Sequence, residues 1–431
     1  MSNWKQVREL VQFSIKGITP KYVEKSTIMV LNQKCVRNNK IDFSLAQYTD
    51  DSKGVSENKI IRIGDILINS TGQGTAGRCA FVDKIPDGII LIPDSHILIL
   101  RCKNYNEARC LNYNLFYSES FIQSFMDGST GQGELDKIRL FNLSVPIPSN
   151  ELTQQKIASV LSSLDAKIEL NNRINIELEA MAKTLYDYWF VQFDFPDAEG
   201  KPYKSSGGEM VWSEELKREI PLGWEVVLMA DWIEKDKSGD WGKDSLEGNY
   251  TEKVSCIRGA DINGLNGLGS LNPPTRFILE KNAHKILNSH DLVIEISGGS
   301  PTQSTARLAY ITEATLKRFE NPLICSNFCK AISLKDTNLL YNFVYYWNSL
   351  YDSGTFFGYE GKTSGIKNFL FDSFVKSYHT VQPDSFVVEQ FYNIVENIQV
   401  KKQTALAENQ QLSALRDWLL PMLMNGQVVV A

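Results

Sequence analysis

The sequence predicts an α+β chain in which one mixed α/β domain occurs twice, each copy followed by a long helix, with the two helices pairing with each other. Three observations predict it. First, segments of the two halves recur in the same order. Gly64-Asp65-Ile66-Leu67-Ile68 returns as His290-Asp291-Leu292-Val293-Ile294, Arg78-Cys79-Ala80-Phe81-Val82 as Arg307-Leu308-Ala309-Tyr310-Ile311, and Leu178-Glu179-Ala180-Met181 as Leu412-Ser413-Ala414-Leu415. The offset drifts only from 226 (65 to 291) to 235 (155 to 390), as a duplication with small loop insertions produces. Second, each copy opens on short apolar runs broken by Gly, Ser, Thr and Asn. Third, each copy closes on a long stretch with apolar residues at alternating spacings of four and three.

In chain order, residues 60–68, 88–100 and 140–147 read as strands of the first domain, 1–150, with a helix over 110–126. The first long helix, 151–195, carries the seam Ile157, Leu161, Leu164, Ile168, Asn171, Asn175, Leu178, Ala182, Leu185 and Trp189. No Pro or Gly interrupts it before Asp194. Residues 196–219 form a linker around Ser205-Ser206-Gly207-Gly208. The second domain, 220–382, restarts at Ile220-Pro221-Leu222-Gly223-Trp224 and places strands at 254–257, 291–296 and 307–311 and a helix at 339–351. The second helix, within 383–431, gives the seam Phe391, Ile394, Ile398, Lys401, Ala405, Glu408, Leu412, Leu415, Leu419 and Met422, its end marked by Pro421 and Gly426. Both seams turn polar midway, at Asn171 and Asn175 and at Lys401 and Glu408, which lowers stability but selects partner and register.

A chain of 431 residues holds two or three domains at roughly 100–200 residues each. No apolar run reaches about 18 residues, and Met1-Ser2-Asn3-Trp4-Lys5-Gln6 has no apolar signal core, so no membrane partner and a cytoplasmic location are expected. The seven cysteines form no CxxC pair and have no histidine near Cys325 and Cys329, so free buried thiols are expected and no metal site. A net charge of -6 argues against a basic coat for nucleic acid but leaves room for local basic clefts.

Catalytic signatures fail in detail. Asn272-Pro273-Pro274-Thr275 lacks the aromatic residue that an adenine methyltransferase motif needs where Thr275 stands. Gly361-Lys362-Thr363 has Phe356 where a phosphate-binding loop needs glycine. Asp291 and Glu295 have no lysine at nuclease spacing, and His96, His284, His290 and His379 are scattered. No catalytic residue is assigned, and the chain is expected not to be an enzyme.

The run Gln155-Lys156-Ile157-Ala158-Ser159-Val160-Leu161-Ser162-Ser163-Leu164-Asp165, the stretch from Leu178 to Val191, Ser206-Gly207-Gly208-Glu209-Met210-Val211-Trp212, and the ending Leu419-Leu420-Pro421-Met422-Leu423 resemble type I restriction–modification specificity subunits. The family has Glu-Gln at the start of each long helix; here the first copy has Gln154-Gln155 and the second keeps Glu389-Gln390. The resemblance implies two target recognition domains, each reading one half of a bipartite double-stranded DNA site. It implies that the helices pair antiparallel as a spacer through Leu161, Leu164, Ile168, Leu178, Leu185, Ile394, Ile398, Leu412, Leu415 and Leu419. It also implies two methyltransferase subunits and further restriction/translocase subunits as partners, with S-adenosylmethionine, ATP and Mg²⁺ handled by those partners and no cofactor in this chain.

Polar, glycine-rich loops after strands suit base-edge and phosphate contacts. In the first domain these offer Thr71, Gln73, Thr75 and Arg78, then Thr130, Gln132, Lys137 and Arg139. In the second they offer Ser300, Thr302, Gln303 and Arg307, then Lys362, Thr363 and Lys367. Each is also compatible with an ordinary turn. A coiled-coil scaffold that binds no DNA is the alternative function; protection of DNA together with methyltransferase subunits separates the two.

Overall fold

The structure is a computed structural model that describes every residue except 1, 53, 73, 128–132, 268, 270, 299–302, 364, 365 and 431. The chain packs as two compact units, Met1–Lys167 with Gln411–Ala431, and Ile168–Gln410, so the division falls inside both long helices.

In the first unit the strands Val11–Lys16, Ile97–Cys102, Ile66–Asn69 and Cys79–Phe81 lie side by side, antiparallel throughout. The central strands read Ile-Leu-Ile because both faces are covered. Alternate side chains divide between two cores. Ile66, Ile68, Leu98 and Leu100 pack with the helix Tyr105–Tyr117, while Leu67, Ile97 and Ile99 pack with Leu31 and Leu91 of a second sheet. That second sheet is ordered Ile90–Pro93, Ile28–Leu31, Gln47–Thr49, Tyr22–Val23, and its first pair is parallel. Ser2–Gln6 pairs with Ser144–Pro148. The expected strand 60–68 shortens to Ile66–Asn69, because Asp65 accepts the Arg62 amide at 2.7 Å and turns the chain. The expected strand 88–100 breaks in two where Asp94 accepts the His96 amide at 2.9 Å. Residues 140–147 begin as the end of a short helix, Lys137–Asn142, because the Asp136 carboxylate accepts the Ile138 and Arg139 amides.

The second unit repeats this plan. Ile233–Ser238, Cys329–Leu334, Leu292–Glu295 and Leu308–Tyr310 form its antiparallel sheet in the matching order. Tyr250–Ile257 pairs antiparallel with Thr275–Leu279 and parallel with Leu323–Cys325, and Glu225–Leu228 pairs with His379–Gln382. Two backbone details confirm the correspondence. A Cβ on Gly17 would lie 2.0 Å from the Pro93 carbonyl oxygen, and one on Gly239 would lie 1.9 Å from that of Ser326, so neither position admits a side chain. Gly64 has φ +93, and His290 holds the same left-handed turn at φ +72, with Nε2 2.8 Å from the Tyr392 hydroxyl.

The segment expected as a linker is folded. Met210–Ser213 pairs with Arg218–Pro221. Phe195 stacks between Tyr203 and Trp224, at 4.7 and 5.0 Å. The Ser205 amide and hydroxyl donate to Asp194 at 2.7 and 2.6 Å, which ties the glycine-rich turn down.

The long helices run Glu151–Tyr186, continued by a π-turn Asp187–Val191, and Ser385–Met424, which contains Pro421 rather than ending before it. Within each unit they run antiparallel. Asp165 accepts from Arg416 in the first, while Asn171 donates to Glu408 and Lys402 pairs with Glu179 in the second. On the first helix Leu161 is buried, and Leu164, Ile168, Leu178 and Leu185 are half-buried.

The second helix corrects the expected seam. Ile394 and Leu415 are 43% and 42% exposed, and Lys401 is exposed. Of the expected seam, Phe391 is buried and Ile398, Leu412 and Leu419 are half-buried; the other buried positions include Val395, Gln399, Lys402, Leu406, Leu420 and Leu423. The expectation followed apolar residues, but Gln399, Lys402 and Gln403 are buried because each meets a polar partner: Tyr310 and Tyr345, Glu179, and Arg318 with the Leu265 carbonyl.

Candidate nucleic-acid interface

In each unit the described backbone that flanks the two loops singled out by sequence lies side by side. In the first, Thr71 bridges to Glu134, and the Leu135 amide donates to the Ser70 carbonyl at 2.8 Å. The turn after Ile66–Asn69 therefore abuts the ribbon Met126–Asp127/Glu134–Leu135. In the second, Ser297–Gly298 pairs with Ile366–Phe369, which pairs with Glu360–Thr363. The same two places in the fold thus form one surface in each copy.

The candidate residues on these surfaces divide sharply. Lys137 and Arg139 are exposed, Arg139 lying 3.4 Å from Asp136. Gln303 is exposed, and its carbonyl accepts Lys367 Nζ at 3.2 Å. Others are engaged within the protein. Thr75 donates to Gln33 at 3.0 Å, Thr71 lies 2.7 Å from His96 Nδ1, and Arg78 sits 3.9 Å from Glu119. Arg307 directs Nε and Nη2 to Glu295 at 2.8 and 2.7 Å, and this bidentate pairing raises its pKa. Lys367 lies 3.1 Å from Glu360. Gln73, Thr130, Gln132, Ser300 and Thr302 lie outside the described residues, and only the backbone of Lys362 and Thr363 is described.

Glu360 is the organiser that sequence reasoning missed. Its Oε1 accepts the Thr305 amide and the Ser304 and Thr305 hydroxyls at 2.8, 2.8 and 3.0 Å. Burial alone would raise its pKa, but these bonds and Lys367 together hold it below the usual range. The hairpin register places Glu360 opposite Phe369; nothing in its own sequence neighbourhood marks it. Glu295 was legible in principle, since it ends the strand that pairs with the strand following Arg307.

The cysteines are free, and burial pushes Cys256, Cys325 and Cys329 up to about 12. Among the described residues no group of three or more His, Cys, Asp or Glu side chains could hold a metal ion. Among them, too, no helix is long and apolar enough to cross a membrane.

Residues 1–180 match the family described as type I restriction modification DNA specificity domain. The chain is 24% identical over 325 residues to the type I restriction enzyme MjaIX specificity subunit of Methanocaldococcus jannaschii, covering 74% of this chain and 68% of that one. It is 33% identical over 170 residues to the HindI specificity subunit of Haemophilus influenzae, covering 39% of this chain and 36% of that one. In fold it is similar to the crystal structure of the type I restriction–modification S subunit from M. genitalium, with a TM-score of 0.53 and 17% identity over 98% of this chain and 96% of the other.

Proposed function

We propose, from the premise that this chain belongs to the specificity subunits of type I restriction–modification systems, that its two domains, 1–150 and 220–382, each read one half of a split, asymmetric DNA site. The observation that carries this reading is the repeated loop surface: the same strand ends supply it in both copies, with different side chains. Unlike surfaces on like scaffolds read unlike half-sites.

In this reading Lys137, Arg139 and Gln303 approach DNA, while Arg307 and Lys367 stiffen the loops that do. The long helices are the spacer, and methyltransferase subunits dock on them. Leu170, Ile174, Met181, Ile394, Val400 and Trp418 support this, being large apolar side chains left exposed on those helices. Methyl transfer from S-adenosylmethionine and ATP- and Mg²⁺-dependent translocation belong to the partner subunits.

The test is expression of the chain with methyltransferase subunits in a host lacking such a system, followed by sequencing of methylated DNA. One bipartite, non-palindromic motif is expected. No methylation, or a motif with two identical halves, overturns the reading and favours a scaffold.

A further inference from the structure

The strands Ile97–Cys102 and Cys329–Leu334 are each entered through a tight turn. The Ile97 amide donates to the Asp94 carbonyl at 3.2 Å, and the Cys329 amide to the Ser326 carbonyl at 2.8 Å. Strand pairing sets Ile97 opposite Asn69 and Cys329 opposite Glu295, so Ser70 and Ile296 leave their strands at the same place. Each is held from both sides in the same way. The Ser70 amide donates to the His96 carbonyl at 2.8 Å, and the Ile296 amide to the Phe328 carbonyl at 2.8 Å. The Ser70 carbonyl accepts the Leu135 amide at 2.8 Å, and the Ile296 carbonyl the Phe369 amide at 2.9 Å. His96 and Phe328 therefore hold one position in the two copies, at the root of the loop surface.

Their side chains differ in kind. His96 is exposed, and its Nδ1 lies 2.7 Å from the hydroxyl of Thr71, itself a candidate for DNA contact. Phe328 leaves 54% of its surface in water, although Ser326 and Cys329 at the ends of the same turn are buried. The ring belongs to neither core of the domain's sheet, so the fold does not need it. Ile366 is exposed as well, on the strand that pairs with Ser297–Gly298. A large aromatic side chain held out on a loop points to binding rather than to packing.

We propose that Phe328 is a specificity-determining residue of the second domain, its ring packing on the C5-methyl group of one thymine in the major groove. This rests on the reading that the loop surfaces meet DNA. A phenyl ring neither donates nor accepts a conventional hydrogen bond, and the thymine methyl is the apolar group that base edges display in the major groove. At the matching place in the first domain the His96 imidazole suits a polar base edge. One backbone position thus contributes to the asymmetry of the site.

The test titrates the chain, assembled with methyltransferase subunits, with duplexes carrying its methylated motif. Each thymine of the motif is replaced in turn by deoxyuridine, which lacks only the methyl group. One replacement is expected to weaken binding about fourfold, the worth of one buried methyl group. Phe328→Ala should unfold in urea as the native chain does, bind both duplexes alike at that position, and methylate a motif that is degenerate there and nowhere else. Deoxyuridine tolerated at every position overturns the proposal, and if Phe328→Ala still loses affinity the ring instead wedges between bases. A motif without thymine, or one unchanged in Phe328→Ala, overturns it too. All these outcomes leave the two-domain reading standing; the absence of any bipartite motif removes both.

Discussion

Ser333 holds, in the second copy, the strand position that Arg101 holds in the first. Arg101 donates Nε and Nη2 to the buried Asp65 at 2.6 and 2.7 Å. Ser333 donates only a hydroxyl to the corresponding Asp291, at 2.7 Å, and the positive charge comes from Lys237 on the adjacent strand, at 2.6 Å. The two copies neutralise one buried carboxylate by different routes. Lys237→Ile should therefore destabilise the second unit by about 3–5 kcal/mol, the cost of leaving a buried charge unpaired. Adding Ser333→Arg should recover most of it. Urea unfolding measures both, and a double variant no more stable than the single would show that the positions are not equivalent.

Arg307 and Arg139 should behave oppositely although both were candidates for DNA contact. Arg307→Ala strands Glu295, which is 3% exposed, and should cost about 3–5 kcal/mol of stability. Arg139→Ala should change stability by less than about 0.5 kcal/mol, weaken DNA binding to all sequences, and reduce the salt slope by about 1. Unfolding and salt-dependent anisotropy titrations of the assembled complex separate the two. A stable Arg307→Ala chain with relaxed specificity would reverse the assignment.

The loop surface of the second domain should loosen in acid. The Glu360 pKa is depressed in the folded chain, so its contribution is complete above the ordinary glutamate value, about 4.3, and is lost as pH falls through the lower folded value. The hydrogen-exchange protection factor of the Thr305 amide should fall across that range in the native chain. In Glu360→Gln it should be low already at neutral pH and change little with acid.

Exchange of the second recognition domain with that of a relative should succeed only if the second helix travels with it as far as Gln410. Tyr310 and Tyr345 bond Gln399, Arg318 bonds Gln403 and Gln410, and His290 bonds Tyr392. A chimera cut near Val381 should be destabilised. One cut after Gln410 should methylate a hybrid site that keeps one original half. Equal stability of the two chimeras would show that the domain and helix are independent.

The duplication, the strand-then-helix order and the two helices were legible because each leaves a one-dimensional trace: a slowly drifting offset, an apolar run, an unbroken heptad. The buried row of the second helix was not, because Gln399, Lys402 and Gln403 are polar and are buried only through partners far away in sequence. The folded state of residues 196–219 was hidden for a related reason. Ser205-Ser206-Gly207-Gly208 has the composition of a flexible joint, and only Asp194 and the rings of Phe195, Tyr203 and Trp224 make it a turn. The loop pairs were visible as loops, but their adjacency depends on pairings such as Thr71 with Glu134.

Leu420, Leu423 and Met424 belong to the same core as Val7, Ile66 and Tyr113. On a ribosome these parts emerge far apart in time. At roughly 5–20 residues per second, the last turns of the chain follow residue 167 by tens of seconds or less. Throughout that interval the first domain waits with part of its apolar interior uncovered, although all of its strands already exist. Truncation near Gln410 should consequently harm the part of the protein made first, and the nascent first domain is where chaperone capture should concentrate.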